Sequence, residues 1–203
     1  MKKVRYYIAI AAALLFSTAA KAQYFEFGVK GGFAASWIVN TVVIGDETVL
    51  PHNNFYAGAY TTFDSSNGFI MQAELLYAGK GHSHHSELRG KYVRNLSYMQ
   101  VPLFAGYRFY SSNYTIMAGP ELGYLINSTT ITPGQKINST SECNRFNIAL
   151  ALQTNYMFND NIGVDVKFSW GANRTFAPNM YAEQVDDYGR NVSVQIGVNW
   201  MFD

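Results

Sequence analysis

After about the first two dozen residues, the chain repeats one pattern, in which short runs of alternating apolar and polar or small side chains are separated by gaps. Alternate residues of a β-strand point to opposite faces of a sheet, so each run predicts a strand with one apolar and one polar face. The eight runs cover residues 25–34, 54–64, 69–79, 96–110, 114–126, 146–158, 162–173 and 191–202. A helix would distribute the same residues around its circumference, so the pattern predicts an all-β chain.

The run at residues 146–158 shows the alternation clearly. One face collects the large apolar side chains of Phe146, Ile148, Leu150, Leu152, Tyr156 and Phe158. The other face collects Asn147, Ala149, Ala151, Gln153 and Asn155. We expect the first set to face lipid and the second to face the inside of a barrel.

The gaps between the runs alternate in length. Those at 65–68, 111–113 and 159–161 are short and rich in Ser, Asn, Asp or Gly, which is typical of tight turns. The gaps at 35–53, 80–95, 127–145 and 174–190 are long and polar. Short periplasmic turns, long external loops and an even strand number are typical of bacterial outer-membrane barrels. We therefore predict an eight-stranded antiparallel up-and-down transmembrane β-barrel in the outer membrane, with both termini in the periplasm.

The composition favours the same interpretation. Charged residues make up 14% of the chain, below the roughly 25% of soluble domains, while aromatic residues reach 16%. The main alternative is a soluble periplasmic barrel or sandwich, whose apolar face would be the inner one. Glycines such as Gly28, Gly58, Gly119 and Gly197 lie between the apolar positions, which suits a crowded barrel interior better than a water-facing surface. The net charge of +1 gives no electrostatic reason to expect a nucleic-acid partner.

The N-terminus has the layout of a secretory signal peptide, with a basic start, an apolar run and a small-residue end. Ala20 and Ala22 supply the small residues that precede a cleavage site. We expect residues 1–22 to be the signal peptide and residues 23–203 to be the barrel.

Several ionisable residues fall on the polar face of the predicted strands. They are Glu26, Lys30, Glu74, Arg108, Glu121, Asp165 and Lys167. A barrel of about eight strands has an interior that side chains just fill, and charges confined there should pair. We expect a salt-bridged interior, and a proton or ion path is the alternative.

The gap at 80–95 holds the residue types that chemistry would need. His82, His84 and His85 have a spacing that suits a transition metal, with a solvated polar loop as the alternative. Ser83, Ser86 and Glu87 together with these histidines match the residue types of a serine hydrolase, which would act at the outer rim on a substrate such as lipid A. The basic residues Lys80, Arg89, Lys91 and Arg94 suggest either a rim that contacts anionic lipopolysaccharide or a solvated basic loop.

Three segments resemble a known family. They are FGVKGGF at 27–33, YMQVPL at 98–103 followed by GYRF at 106–109, and GPELGY at 119–124. These segments resemble the PorT-like outer-membrane β-barrel family of Bacteroidetes. The resemblance implies an eight-stranded barrel, brings no catalytic residues, and places Pro102 and Pro120 at bulge or rim positions.

The sequence therefore predicts a non-enzymatic outer-membrane barrel without a cofactor, which acts through its external loops in a structural, adhesive or secretion-accessory role. Its expected partners are outer-membrane lipid and lipopolysaccharide, and other envelope proteins. A surface barrel that binds a ligand or metal is the second hypothesis, and a rim hydrolase is the third.

Overall fold

All eight predicted strands are present in the computed structural model, which describes residues 25–39, 48–65, 67–86, 90–176 and 189–202. The long strands are β1 (Phe25–Val39), β2 (Thr48–Asp64), β3 (Phe69–Ser86), β4 (Gly90–Phe109), β5 (Tyr114–Thr132), β7 (Phe146–Met157), β8 (Ile162–Gly171) and β9 (Arg190–Phe202). A short strand, β6 (Gln135–Asn138), and one 3-10 turn at Thr140–Glu142 lie between β5 and β7. No helix within the described ranges is long and apolar enough to cross a membrane.

The long strands close into a barrel. Each pairs antiparallel with its neighbour along the chain, β5 pairs with β7, and β1 pairs with β9 to complete the ring. The additional strand β6 pairs with β5. The prediction of an eight-stranded antiparallel barrel is confirmed.

The apolar face of the barrel is the outer one. On β7, Phe146 and Leu150 are exposed, whereas Asn147 and Gln153 are buried inside. Phe33 on β1 is 81% exposed, which no water-soluble barrel would favour for so large an apolar side chain. The soluble alternative placed the apolar face inside, so it is wrong.

Aromatic side chains concentrate towards the two ends of this outer surface. Near the short turns, the rings of Tyr107 and Phe109 lie 5.0 Å apart, and those of Tyr156 and Phe158 lie 5.4 Å apart. At the other end, the rings of Tyr124 and Phe146 lie 5.4 Å apart, and further pairs occur on β2, β3 and β8. Such belts are typical of the two interfaces of a membrane barrel.

The three short turns lie where the sequence predicts them, but several predicted loops are strands. Strands β3 and β4 continue to pair up to Ser86 and Gly90, so most of the predicted loop at 80–95 is sheet. Strand β2 begins at Thr48, and β5 runs on to Thr132 before it turns into β6. These extensions lack apolar alternation because both of their faces lie outside the lipid.

The extensions form what we call the outer sheet, which comprises residues 48–51 of β2, 82–86 of β3, 90–94 of β4 and 128–132 of β5, together with β6. Strands β2 to β5 have 17 to 20 residues, whereas β7 to β9 have 10 to 13. Because the short turns align the strands at the opposite end, the additional length projects from the end that carries the long gaps.

The two prolines do not lie where the family resemblance places them. Pro102 pairs with Glu121 and Ala105 pairs with Ala118, so the register does not shift between them and neither proline marks a bulge. Pro102 faces the interior and Pro120 faces outwards, both well within their strands. The ladder between β4 and β5 has a gap at residues 103–104, opposite 119–120, which accommodates the missing N–H of Pro120. The bulge between these strands lies instead near Ser97 and Tyr98.

Candidate functional site

The barrel interior holds a chain of buried charges. Lys30 on β1 projects its Nζ atom to 2.9 Å from Glu74 Oε1 on β3 and to 3.2 Å from Asp165 Oδ2 on β8. All three side chains are almost fully buried. The attraction between the lysine and the two carboxylates offsets the free-energy cost of removing these charges from water.

The chain continues along the barrel through Glu121. Lys167 Nζ lies 3.8 Å from Glu74 Oε2 and 3.0 Å from Glu121 Oε2. Lys80 Nζ lies 3.0 Å from Glu121 Oε1. Each residue contacts the next in the order Asp165, Lys30, Glu74, Lys167, Glu121 and Lys80. We call these three acids and three lysines the ion chain, and its formal charges cancel.

Neutral side chains complete the hydrogen bonding of these carboxylates. Gln153 Nε2 donates to Glu74 at 3.0 Å, and Gln100 Nε2 donates to Glu121 at 2.6 Å. The Tyr56 hydroxyl donates to Asp165 Oδ2 at 2.8 Å. These bonds come from strands on several sides of the barrel, so they fix the ion chain in one arrangement.

A second charged cluster lies at the end of the barrel that carries the short turns. Arg108 makes a bidentate contact with Glu26, with N···O distances of 2.9 and 2.7 Å, and also donates to Asp64 at 2.8 Å. The Tyr110 hydroxyl donates to the other oxygen of Asp64 at 2.6 Å. This cluster is only partly buried.

The seven predicted interior residues therefore separate into two groups. Lys30, Glu74, Glu121, Asp165 and Lys167 meet in the ion chain, whereas Glu26 and Arg108 belong to the cluster at the short-turn end. Sequence reasoning missed Lys80, which we expected in an external loop and which is 1% exposed inside the barrel. Lys80 lies six residues after Glu74 on the same strand, and an even separation places both side chains on the same face. Extending the predicted run at 69–79 by one residue would have placed Lys80 inside.

The predicted histidine cluster is not in a solvated loop. His82 lies on β3, is 2% exposed, and packs edge-on against Phe176 with the ring centroids 5.9 Å apart. The side chains of His84 and His85 lie outside the described residues. Within the described part of the chain, no three His, Cys, Asp or Glu side chains form a metal-binding group. The metal site stays a prediction.

Of the other predicted rim residues, some have described side chains and others do not. Arg94, expected in a basic solvated loop, donates to Glu142 at 2.7 Å and lies 5.0 Å from the centre of the Phe176 ring. Ser83 is buried, whereas Glu87 and Arg89 and the side chains of Ser86 and Lys91 lie outside the described residues. The hydrolase and the lipopolysaccharide-binding rim stay predictions.

Comparison with known proteins identifies the family. A family model described as the outer membrane protein beta-barrel domain matches residues 16–177. The chain belongs to this family, and the outer membrane is therefore its location. No curated protein sequence matches the chain. The narrower resemblance to PorT-like proteins stays a prediction.

Solved structures with similar folds come from other bacteria. Neisserial surface protein A is 12% identical with a TM-score of 0.52, covering 87% of this chain and 97% of its own. The attachment invasion locus protein Ail of Yersinia pestis, in complex with the heparin analogue sucrose octasulfate, is 12% identical with a TM-score of 0.50, covering 89% and 100%. At this level of identity the likeness shows the fold alone.

Proposed function

We propose that the protein is a non-enzymatic outer-membrane barrel without a cofactor, which holds the outer sheet and its connecting segments above the membrane for contact with surface or envelope partners. The role that we propose for it is structural, adhesive or secretion-accessory. Outer-membrane lipid and lipopolysaccharide surround the barrel, and other envelope proteins are its expected partners. The proposed orientation places both termini in the periplasm.

The observation that carries the proposal is the ion chain. An eight-stranded barrel leaves room inside for side chains and little more. Here Lys30, Glu74, Glu121, Asp165 and Lys167 are each at most 5% exposed and are held together from several sides. Such an interior supports a barrel that acts as an anchor and not as a diffusion pore.

The outer sheet supports the contact part of the proposal. Arg94 donates to Thr130 at 3.1 Å and to Glu142 at 2.7 Å, which links β4, β5 and the segment after β6. Ser139 lies 2.9 Å from the hydroxyls of both Ser128 and Thr130. These polar links hold a projecting sheet in one shape, and a rigid surface loses little conformational entropy when it binds a partner.

Conductance tests the filled interior. The purified protein in planar bilayers should give no stable conductance steps above those of protein-free membranes, and its proteoliposomes should not swell in small sugars. The matched control is a porin that is purified and reconstituted in the same buffer. Stable steps, or swelling at a rate above that of empty liposomes, would contradict the anchor role.

A deletion tests the outer sheet. Residues 82–94 are replaced by a short turn, and heat-modifiable migration on a gel checks that the barrel still forms. Cell-surface cross-linking with mass spectrometry then compares the two proteins. We expect partners that only the full-length chain captures, whereas identical sets of partners would remove the outer sheet from the function.

A further inference from the structure

The short-turn end of the barrel contains a cleft of about 380 Å³. Its lining includes Glu26, Arg108, Thr115, Met157, Asp160 and Met201, which come from five strands and one turn. Ligand pockets of small molecules begin at about 300 Å³, so the cleft can accept a group the size of an amino-acid side chain. The proposed function assigns no role to it.

The charges around the cleft are mostly negative. One guanidinium, that of Arg108, serves both Glu26 and Asp64. Asp160 is exposed in the turn between β7 and β8 and has no basic partner within the described part of the chain. The cleft therefore presents more carboxylate than cationic charge to a ligand that enters it.

One buried side chain beside the cleft has unpartnered polar atoms. Asn199 is 3% exposed, faces the interior two residues before Met201, and has no hydrogen-bond partner among the described residues for either side-chain amide atom. A Cβ built on Gly163 would lie 2.6 Å from Met157 Sδ and 2.9 Å from Asn199 Oδ1, so these two atoms are neighbours. Buried polar atoms are rarely left unpaired, and a polar ligand is one way to pair them.

We propose that this cleft binds a primary alkylammonium group. The positive charge is attracted by Asp160 and Glu26 at the mouth, and the ammonium donates a hydrogen bond to Asn199 Oδ1 beside Met157. The aliphatic stem lies against Met157 and Met201, whose flexible thioether side chains adapt to apolar groups. A lysine side chain of a peptide and a free diamine both carry a primary alkylammonium group.

Calorimetric titration of the full mature chain in nanodiscs tests the proposal with three probes. They are Nα-acetyl-lysine methylamide, cadaverine, and Nα-acetyl-norleucine methylamide, which lacks the ammonium. The two ammonium compounds should bind saturably and at least tenfold more tightly than the norleucine analogue. Tighter binding of the lysine derivative would assign the cleft to a peptide, and tighter binding of cadaverine to a free diamine. Equal binding of all three probes, or none, would overturn the proposal.

Variants locate the binding. Asp160→Asn changes an exposed turn residue and should weaken ammonium binding at least fivefold, and Asn199→Leu should weaken it as well. Glu142→Gln removes a carboxylate at the opposite end of the barrel and should leave the affinity unchanged. Heat-modifiable migration verifies that each variant is folded. Unchanged affinity in folded Asp160→Asn would place the ammonium elsewhere and refute the site.

Discussion

Glu121 is the residue on which the ion chain most depends. It accepts from Lys80 and Lys167, and also from Gln100 and Ser169. Glu121→Gln would remove the carboxylate that the buried Lys80 and Lys167 share. Breaking a buried pair by removing one partner costs about 3 to 5 kcal/mol, so we expect a loss of this size in the free energy of unfolding. Urea titration in liposomes, followed by heat-modifiable migration, measures it.

Two further variants separate charge balance from simple damage. Glu142→Gln removes the partner of Arg94 at an exposed position and should cost less than about 1 kcal/mol. Adding Lys80→Met to Glu121→Gln restores equal numbers of acids and lysines in the ion chain, so we expect it to recover at least half of the loss. Lys80→Met alone completes the comparison. If the double variant loses as much free energy of unfolding as Glu121→Gln and Lys80→Met lose together, the pairing itself contributes little.

Cys143, the single cysteine, is buried outside the membrane, beside Ser128. Burial raises the pKa of the Cys143 thiol above its ordinary value, so less reactive thiolate is present at a given pH. At pH 8 we expect maleimide to label the folded protein at least tenfold more slowly than the urea-unfolded protein, as measured by mass spectrometry. Because the folded state holds the proton more tightly, raising the pH through the thiol range should also destabilise it slightly. Equal labelling rates would show that the thiol is accessible.

Individual side chains were predictable where the alternation was strong. Four members of the ion chain stand between apolar neighbours and Lys30 follows Val29, so the alternation predicts their face, whereas Lys80 stands between Gly79 and Gly81, in a segment that resembles a loop. The contact of Arg108 with Asp64 depends on how β2 and β4 come together around the barrel. Strand parity predicts which face a residue occupies, but which partner it meets depends on the register and shear of the closed barrel.

Among the elements, the outer sheet has two edges that no described strand covers. Beyond His52, β2 no longer pairs with β1, and β6 pairs with β5 alone. Pro51 lies on the first edge and Lys136 on the second. Proline lacks the N–H that a new strand would bind, and an edge lysine opposes close pairing, so both residues protect a sheet from adding strands.

We therefore expect the double variant Pro51→Val and Lys136→Val to associate through these edges. Light scattering on the detergent-solubilised protein should show dimers or larger species that the native chain does not form at the same concentration. Lys136→Arg keeps the charge and is the matched control. A double variant as monodisperse as the native chain would mean that another part of the protein covers the edges.

The ends of these elements were the least predictable part of the fold. Within lipid, one face of each strand must be apolar, and that requirement produces the alternation. The outer sheet lies beyond the lipid, mixes polar residues with apolar ones such as Leu50 and Ile131, and buries His82, so its sequence lacks a regular alternation and resembles that of a loop. The short turns were predictable because Ser, Asn and Gly favour their backbone conformations.

At the scale of the whole molecule, the asymmetry between the two ends predicts the orientation. The polar outer sheet has to form on one side of the membrane, and short turns are typical of the periplasmic side. The turn between β5 and β6 contains Pro133 and Gly134, and no atom of the described residues lies within 4 Å of a Cβ built at Gly134. A protease site inserted there should leave the fold intact. The turn at 159–161 provides a matched position at the opposite end.

In intact cells, added protease should cut the site inserted at 133–134 and leave the one at 159–161 uncut until the outer membrane is permeabilised. Both variants should migrate as folded barrels before digestion, which excludes misfolding as the cause of cleavage. Cutting at 159–161 in intact cells would reverse the proposed orientation. It would also move the ammonium-binding cleft to the cell surface, because that cleft and this turn lie at the same end of the barrel.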